Sequence, residues 1–268
     1  MSSERAIYLY CLVSPEGFSA VYDQENQPGV DERYPVTALH QNGIVSVIGE
    51  VDPAEFSESN LNTLSWLGIR AQRHEAIVEQ AMTASTVLPV KFGTLFSCRE
   101  RLIEFTERHR TSIDQALDTL RGKLEWSVKG FLADRVALPI VVAQDDQIQS
   151  GLAALSQSPG ARYIQQRQLD AKTEAAMHAW VVRATDDIHR ALAMHATASC
   201  LLRCHSNSVT GRSARMVFNY SFLLTDTADF IAELTALQHT YRQYGLTLEL
   251  QGPWPPYNFC PPLAGEEP

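Results

Sequence analysis

Residues 7–13 read Ile7-Tyr8-Leu9-Tyr10-Cys11-Leu12-Val13. Apolar and aromatic side chains fall on both faces of any strand built from this run, so it reads as a strand buried in mid-sheet. The run is too short to span a membrane. No small-residue cleavage site follows an extended apolar stretch, which predicts a cytoplasmic chain without a targeting peptide.

Working outward, residues 14–34 carry Pro15, Gly17, Pro28 and Gly29 among polar neighbours and read as a loop. Two apolar runs, 36–40 and 44–51, then flank Gln41-Asn42-Gly43, a hairpin signal, and Pro53 closes the second strand. Over 61–84, Leu64, Leu67, Ala71, His74, Val78 and Ala81 recur at three- and four-residue steps, one stripe of a helix. Residues 87–94 read as a short strand with Pro89 near its start. Ser97-Cys98-Arg99-Glu100 has capping-box spacing and predicts a helix of about twenty residues, to Leu120. Residues 123–129 alternate, with Leu124, Trp126 and Val128 on one face and Lys123, Glu125, Ser127 and Lys129 on the other, a strand with one wet face. The first half therefore reads β-ββ-α-β-α-β, close to a ferredoxin-like sandwich with one extra strand.

The second half opens, after a break at 145–160, on a stretch from 162 to 195 with neither Pro nor Gly. Ala171, Ala175, His178, Val182, Thr185, Ile188 and Leu192 space as a narrow stripe on one long helix. Strands follow at 198–205 and 215–224, then a helix presenting Phe230, Leu234, Leu237 and Tyr241, with Gly245 at its C-terminal stop. A last strand alternates Leu246, Leu248 and Leu250 with polar residues. The expected architecture is two α+β domains. The N-terminal one, 1–132, is modified ferredoxin-like; the C-terminal one, 133–252, has a long helix and a small antiparallel sheet; a Pro/aromatic tail occupies 253–268.

The chain has 268 residues, 45% of them hydrophobic, and a formal net charge of -9. Without a basic run, that charge argues against nucleic acid, whose binding rests on clustered Lys and Arg. The five cysteines, Cys11, Cys98, Cys200, Cys204 and Cys260, are odd in number and scattered, which fits reduced thiols.

No constellation selects a chemistry. His74-Glu75 lacks the second His four positions on that a shared zinc would need, since position 78 is Val. Cys200 and Cys204 share a strand face but lie roughly 13 Å apart along it, too far for one zinc unless the strand turns. Asp145-Asp146 and Asp186-Asp187 are sequence neighbours that diverge on a helix. No phosphate loop, nucleophile elbow or dinucleotide fingerprint is present. We expect no catalytic residues, no metal site and no cofactor. Two segments suit a partner instead. The long helix offers small residues, Ala171, Ala175 and Val182, that permit close helix contact or pack on the chain's own sheet. Gly252-Pro253-Trp254-Pro255-Pro256-Tyr257-Asn258-Phe259 is a stiff run whose Trp254, Tyr257 and Phe259 can wedge into a groove, on a partner or on the chain's own domains.

The sequence resembles the GvpL/GvpF family of gas vesicle proteins along nearly its whole length. The matching words include Tyr8-Leu9-Tyr10-Cys11, Gly43-Ile44-Val45-Ser46-Val47, and Trp66-Leu67 with Arg70-Ala71 and His74-Glu75. They continue with Val87-Leu88-Pro89-Val90-Lys91-Phe92-Gly93-Thr94, Gly122-Lys123-Leu124-Glu125-Trp126, Tyr220-Ser221-Phe222-Leu223 and the tail from Gly252 to Phe259. Cys260 departs from the aliphatic residue expected there, and 139–160 matches least. The resemblance implies a role in gas vesicle formation, as a minor structural component or assembly factor that contacts the main small shell protein and other accessory proteins. It implies no catalysis, no cofactor and no lipid membrane. A second reading, from another class, is a small-molecule-binding or haem-type enzyme on paired ferredoxin-like units, with His74, Arg70 or His178 serving the ligand.

Overall fold

The computed structural model of the chain describes residues 5–16, 18 and 27–261. Parts of the expected loop at 14–34 and of the tail beyond 261 lie outside the described residues. The opening run forms β1 (Ala6–Val13), and every residue of it is buried. It lies between β3 (Ile44–Val51) and β4 (Val87–Pro89), antiparallel to both, with β2 (Val36–Gln41) at the far side of β3. A strand walled on both sides and covered on both faces needs apolar side chains throughout, as the run supplies. The β2–β3 turn has Asn42 at φ 47 and Gly43 at φ 80, with Gln41 paired to Ile44. Those are the left-handed conformations of a two-residue hairpin turn, which Asn-Gly adopts at least cost.

A short helix α1 (Glu58–Leu61), capped by Ser57, precedes α2 (Leu64–Ala84). The buried stripe of α2, His74, Ile77, Val78 and Ala81, packs with Tyr8, Tyr10 and Val13 of β1. The expected strand over 87–94 ends at Pro89. Gly93, at φ 86, turns the chain, and it rejoins β1 as β5 (Leu95–Phe96). The expected helix to Leu120 is two helices, α3 (Arg99–Arg108) and α4 (Arg110–Leu120), broken at His109 with neither Gly nor Pro to mark the place.

The strand expected to close the first sheet instead opens the second. This strand, β6 (Leu124–Leu132), is followed by α5 (Asp134–Ala143), α6 (Asp146–Ala153), α7 (Pro159–Ala193), β7 (Ala198–Leu201), α8 (Asn207–Thr210), β8 (Arg215–Leu224), α9 (Ala228–Arg242) and β9 (Leu246–Trp254). The second sheet has the order β7-β8-β6-β9. With β6 counted in, the second half is a complete β-α-β-β-α-β unit. In both sheets the neighbours run second, third, first and fourth strand. The wet face expected on β6 is also absent: Glu125 is 3% exposed and Ser127 7%. Gly130 marks a close approach, since a Cβ there would stand 2.2 Å from the Phe218 ring of β8.

The chain divides into two compact units. One comprises the residues up to Glu125 together with those from Pro253 onward; the other is Trp126–Gly252. The core of the first gathers Tyr8, Tyr10, Val45, Val47, Ile77 and Val78. That of the second gathers Val128, Met177, Ile188, Phe218, Phe222 and Phe230. Among the described residues, no helix is long and apolar enough to cross a membrane.

Candidate partner-binding surfaces

The 35 residues of α7 make a rod about 52 Å long. Its inward face is Leu169, Met177, Ala184, Ile188 and Leu192. The stripe expected from the sequence divides between the two sides. Ala171, Ala175, His178 and Val182 are exposed, in line with the exposed Ile164, whereas Ile188 and Leu192 are buried. A row stepped at 3.5 residues drifts about 20° per heptad around a helix of 3.6, so three heptads carry it from the solvent side towards the core.

The tail behaves differently. Trp254, at the end of β9, is 38% exposed. Beyond it Tyr257–Phe259 form a single 3-10 turn, with Tyr257 N–H donating to the Pro255 carbonyl at 2.7 Å. The Tyr257 ring lies 6.5 Å from that of His74, centre to centre, and is tilted by 33° to it. The Tyr257 hydroxyl is buried beside the Glu75 carboxylate without a well-formed hydrogen bond. Asn258 donates its backbone N–H to one oxygen of Glu125 at 3.0 Å and its side-chain amide to the other at 2.5 Å. Phe259 and Cys260 line a cleft with Ser112, Gln115 and Ala116 of α4.

Beneath Tyr257 lies a polar pair in an aromatic shell. The Tyr8 hydroxyl accepts the Gly93 N–H at 3.0 Å and sits 2.9 Å from His74 Nδ1. Rings of Tyr8, Tyr10 and Phe92 surround the imidazole. Burial lowers the pKa of His74 from 6.5 to about 4, outweighing a contact with the Val90 backbone that acts the other way. We assign a neutral ring with its proton on Nε2, so that the Tyr8 hydroxyl donates to Nδ1. Burial likewise raises the pKa of Glu75, helped by the nearby charges of Glu79 and Glu125 and opposed by Tyr257. Tyr8, His74, Glu75, Phe92, Glu125, Tyr257 and Asn258 come from separate words of the sequence that carry the family resemblance, and they meet here.

The sequence matches the family described as gas vesicle synthesis protein GvpL/GvpF over residues 6–261. The chain belongs to the GvpL/GvpF family. Among similar proteins are gas vesicle protein L of Streptomyces sp. (strain CB03234), 25% identical over 97% of this chain and 94% of the relative, and gas vesicle protein L1 of Halobacterium salinarum, 24% identical over 96% and 91%. The crystal structure of the gas vesicle protein GvpF from Anabaena sp. PCC7120 superposes with a TM-score of 0.73 at 17% identity, covering 96% of this chain and 98% of that one. Its counterpart from Microcystis aeruginosa gives 0.66, covering 96% and 99%. Both likenesses are of fold.

GvpL/GvpF members are gas vesicle structural or assembly proteins. This chain is accordingly a gas vesicle protein, and its family points to other gas vesicle components as its partners. Arg70, His74 and His178, the residues considered for a ligand or haem, divide between the two compact units. His74 is sealed in the first unit. The Arg70 guanidinium stacks over Trp66 at 4.2 Å and stands 3.5 Å from Glu55. His178 is exposed on α7, in the second unit. Among the described residues, no group of three His, Cys, Asp or Glu side chains could hold a metal ion. Sequence reasoning missed the Glu125–Asn258 pair. Glu125 alternates with Ser127 and Lys129 on β6, so it read as one residue of a solvated face.

Proposed function

We propose that this GvpL/GvpF member is an assembly factor that holds the main small shell protein while gas vesicles form. The observation that carries the reading is the outward stripe of α7, Ile164, Ala171, Ala175 and Val182, on a helix already packed by its opposite face. Small side chains let another helix approach closely, and a shell subunit with an apolar face needs such cover before it polymerises. Trp254 contributes an exposed aromatic. Tyr257 and Phe259 serve Trp254 by fixing the tail that presents it. The other accessory proteins of the vesicle are the further partners.

The test is a pull-down of the tagged chain from cells making gas vesicles, with captured proteins identified by mass. The expected result is the small shell protein, lost when Ala171 and Ala175 are both replaced by Glu in a chain that still melts normally. Undiminished capture by that folded variant sinks the α7 reading. Absence of the shell protein from the wild-type capture sinks the function.

A further inference from the structure

We propose that Asn42, in the β2–β3 turn, is a site of spontaneous deamidation, at which the Gly43 backbone nitrogen displaces the side-chain amide as ammonia beside the Arg110 guanidinium. Asn42 is the one asparagine of the chain that glycine follows. Without a Cβ, Gly43 lets its nitrogen approach a carbonyl carbon unhindered. Both residues are exposed. The structure sets Asn42 apart from the other asparagines. The side-chain amides of Asn60, Asn207, Asn219 and Asn258 are held, donating to the carbonyls of Glu55, Ser213 and Arg203 and to the Glu125 carboxylate respectively. Asn62 precedes Thr63, whose branched Cβ crowds the nitrogen that would attack. Among the described residues, none bonds the Asn42 amide or the Gly43 N–H.

Arg110 supplies the electrostatics. Its Nε is held by Asp114 at 2.7 Å, and its Nη2 reaches the turn, 3.3 Å from where a Gly43 Cβ would stand. The attacking nitrogen must first lose its proton, and the oxygen of the tetrahedral adduct is negative. A guanidinium beside them favours both. Asn42 and Arg110 also line one hollow of about 170 Å³, room enough for water.

Water is the only co-reactant, and nothing is oxidised or reduced. The Gly43 N–H proton passes to solvent, and the nitrogen bonds to the side-chain carbonyl carbon of Asn42. The bond from that carbon to Nδ2 breaks, and Nδ2 leaves as ammonia with a proton taken from solvent. Water then opens the five-membered imide. Opening at the side-chain carbonyl gives aspartate on the original main chain. Opening at the backbone carbonyl gives isoaspartate, with the main chain routed through the side chain and one carbon longer.

The turn is the brake. Imide closure needs rotation about the Asn42 Cα–C bond. The φ of 47 at Asn42 and 80 at Gly43 belong to a two-residue turn that the ladder from Gln41–Ile44 to Val36–Gly49 holds shut. Conversion in the folded chain therefore waits on fraying of the turn. An isoaspartate cannot keep that turn, because the extra main-chain carbon no longer matches the Gln41–Ile44 pairing.

The experiment is peptide mapping by mass of the purified whole chain, held for weeks at mildly alkaline pH, folded and in urea, for wild type and Arg110→Gln. Melting curves serve as the control on fold. In the folded wild type, Asn42 should convert at least about tenfold faster than any other asparagine, to a mixture of aspartate and isoaspartate, and faster still in urea. Arg110→Gln should slow conversion of the folded chain severalfold and leave the rate in urea unchanged. The separated isoaspartyl chain should melt below Asn42→Asp. No conversion at Asn42 in the folded wild type overturns the proposal, and so does conversion at the held asparagines as fast as at Asn42. A folded Arg110→Gln chain that converts at the wild-type rate overturns the part given to the guanidinium.

Discussion

Asn258 occupies both oxygens of the Glu125 carboxylate, one through its backbone N–H and one through its side-chain amide. Glu125 is 3% exposed, so these bonds are made away from water. A bond to a buried charged group is worth about 1.5–3 kcal/mol, and a partner left unsatisfied costs its desolvation as well. Asn258→Ala should therefore lower stability by about 2 kcal/mol in urea unfolding, and make the tail after Trp254 a preferred site of limited proteolysis. A tail as resistant as wild type in that variant would mean that the Glu125 clasp does not hold it.

The buried imidazole makes stability depend on pH in a predictable direction. The folded chain binds a proton at His74 only near pH 4, the unfolded chain near 6.5. Between the two the unfolded state holds more protons, so His74's contribution is complete above about pH 6.5 and is lost as pH falls to about 4, on the order of 3 kcal/mol. Glu75 acts the opposite way. Its raised pKa lets the folded state keep a proton that the unfolded state has released, and this contribution fades as pH rises. Comparing urea midpoints of wild type and His74→Gln between about pH 7 and pH 4.5 isolates the histidine. Wild type should lose more stability over that interval than the variant, and equal losses would contradict the assignment of a neutral, buried ring.

Gly130 gives a core prediction of known sign. Its Cα faces the Phe218 ring so closely that a methyl group would overlap it, at 2.2 Å. The ring is 1% exposed and cannot swing clear. Overpacking of this kind costs about 1–3 kcal/mol. Gly130→Ala should melt several degrees below wild type, and Gly130→Ala with Phe218→Leu should recover part of the loss. No recovery in the double variant would place the strain elsewhere.

What was legible in the sequence was local. The two-sided apolar run became β1, Asn42-Gly43 became the left-handed turn, and the stretch without Gly or Pro became α7, because period and turn chemistry act within a few residues. What was not legible depends on partners far along the chain. Glu125 and Ser127 alternate with apolar residues as a wet face would, whereas Glu125 is buried against Asn258, 133 positions away. With that alternation read as solvent exposure, β6 counted as the last strand of the first half, whereas it lies in the interior of the second sheet. Likewise His74 reads as one more member of an amphipathic stripe. Its pairing with Tyr8 spans 66 positions and follows from the turn at Gly93, which brings a third segment to the same hydroxyl.

Within the tail, Tyr257 and Trp254 should respond oppositely to truncation. The Tyr257 ring lies beside that of His74, with its hydroxyl buried, whereas Trp254 is 38% exposed. Removing a packed aromatic ring costs about 3–5 kcal/mol when it is fully buried, so Tyr257→Ala, only partly covered, should cost about 2. Trp254→Ala should change stability by less than about 0.5 kcal/mol, as surface substitutions do, while reducing capture of the shell protein. Tyr257→Phe separates ring from hydroxyl. Because the hydroxyl lacks a well-formed bond, its loss removes a buried polar group without orphaning a donor, and the variant should be as stable as wild type or slightly more so. Urea unfolding of the three variants decides the matter. A marked loss in Tyr257→Phe would show that Glu75 holds the hydroxyl after all, and a marked loss in Trp254→Ala would make that ring a structural strut instead of a presented surface.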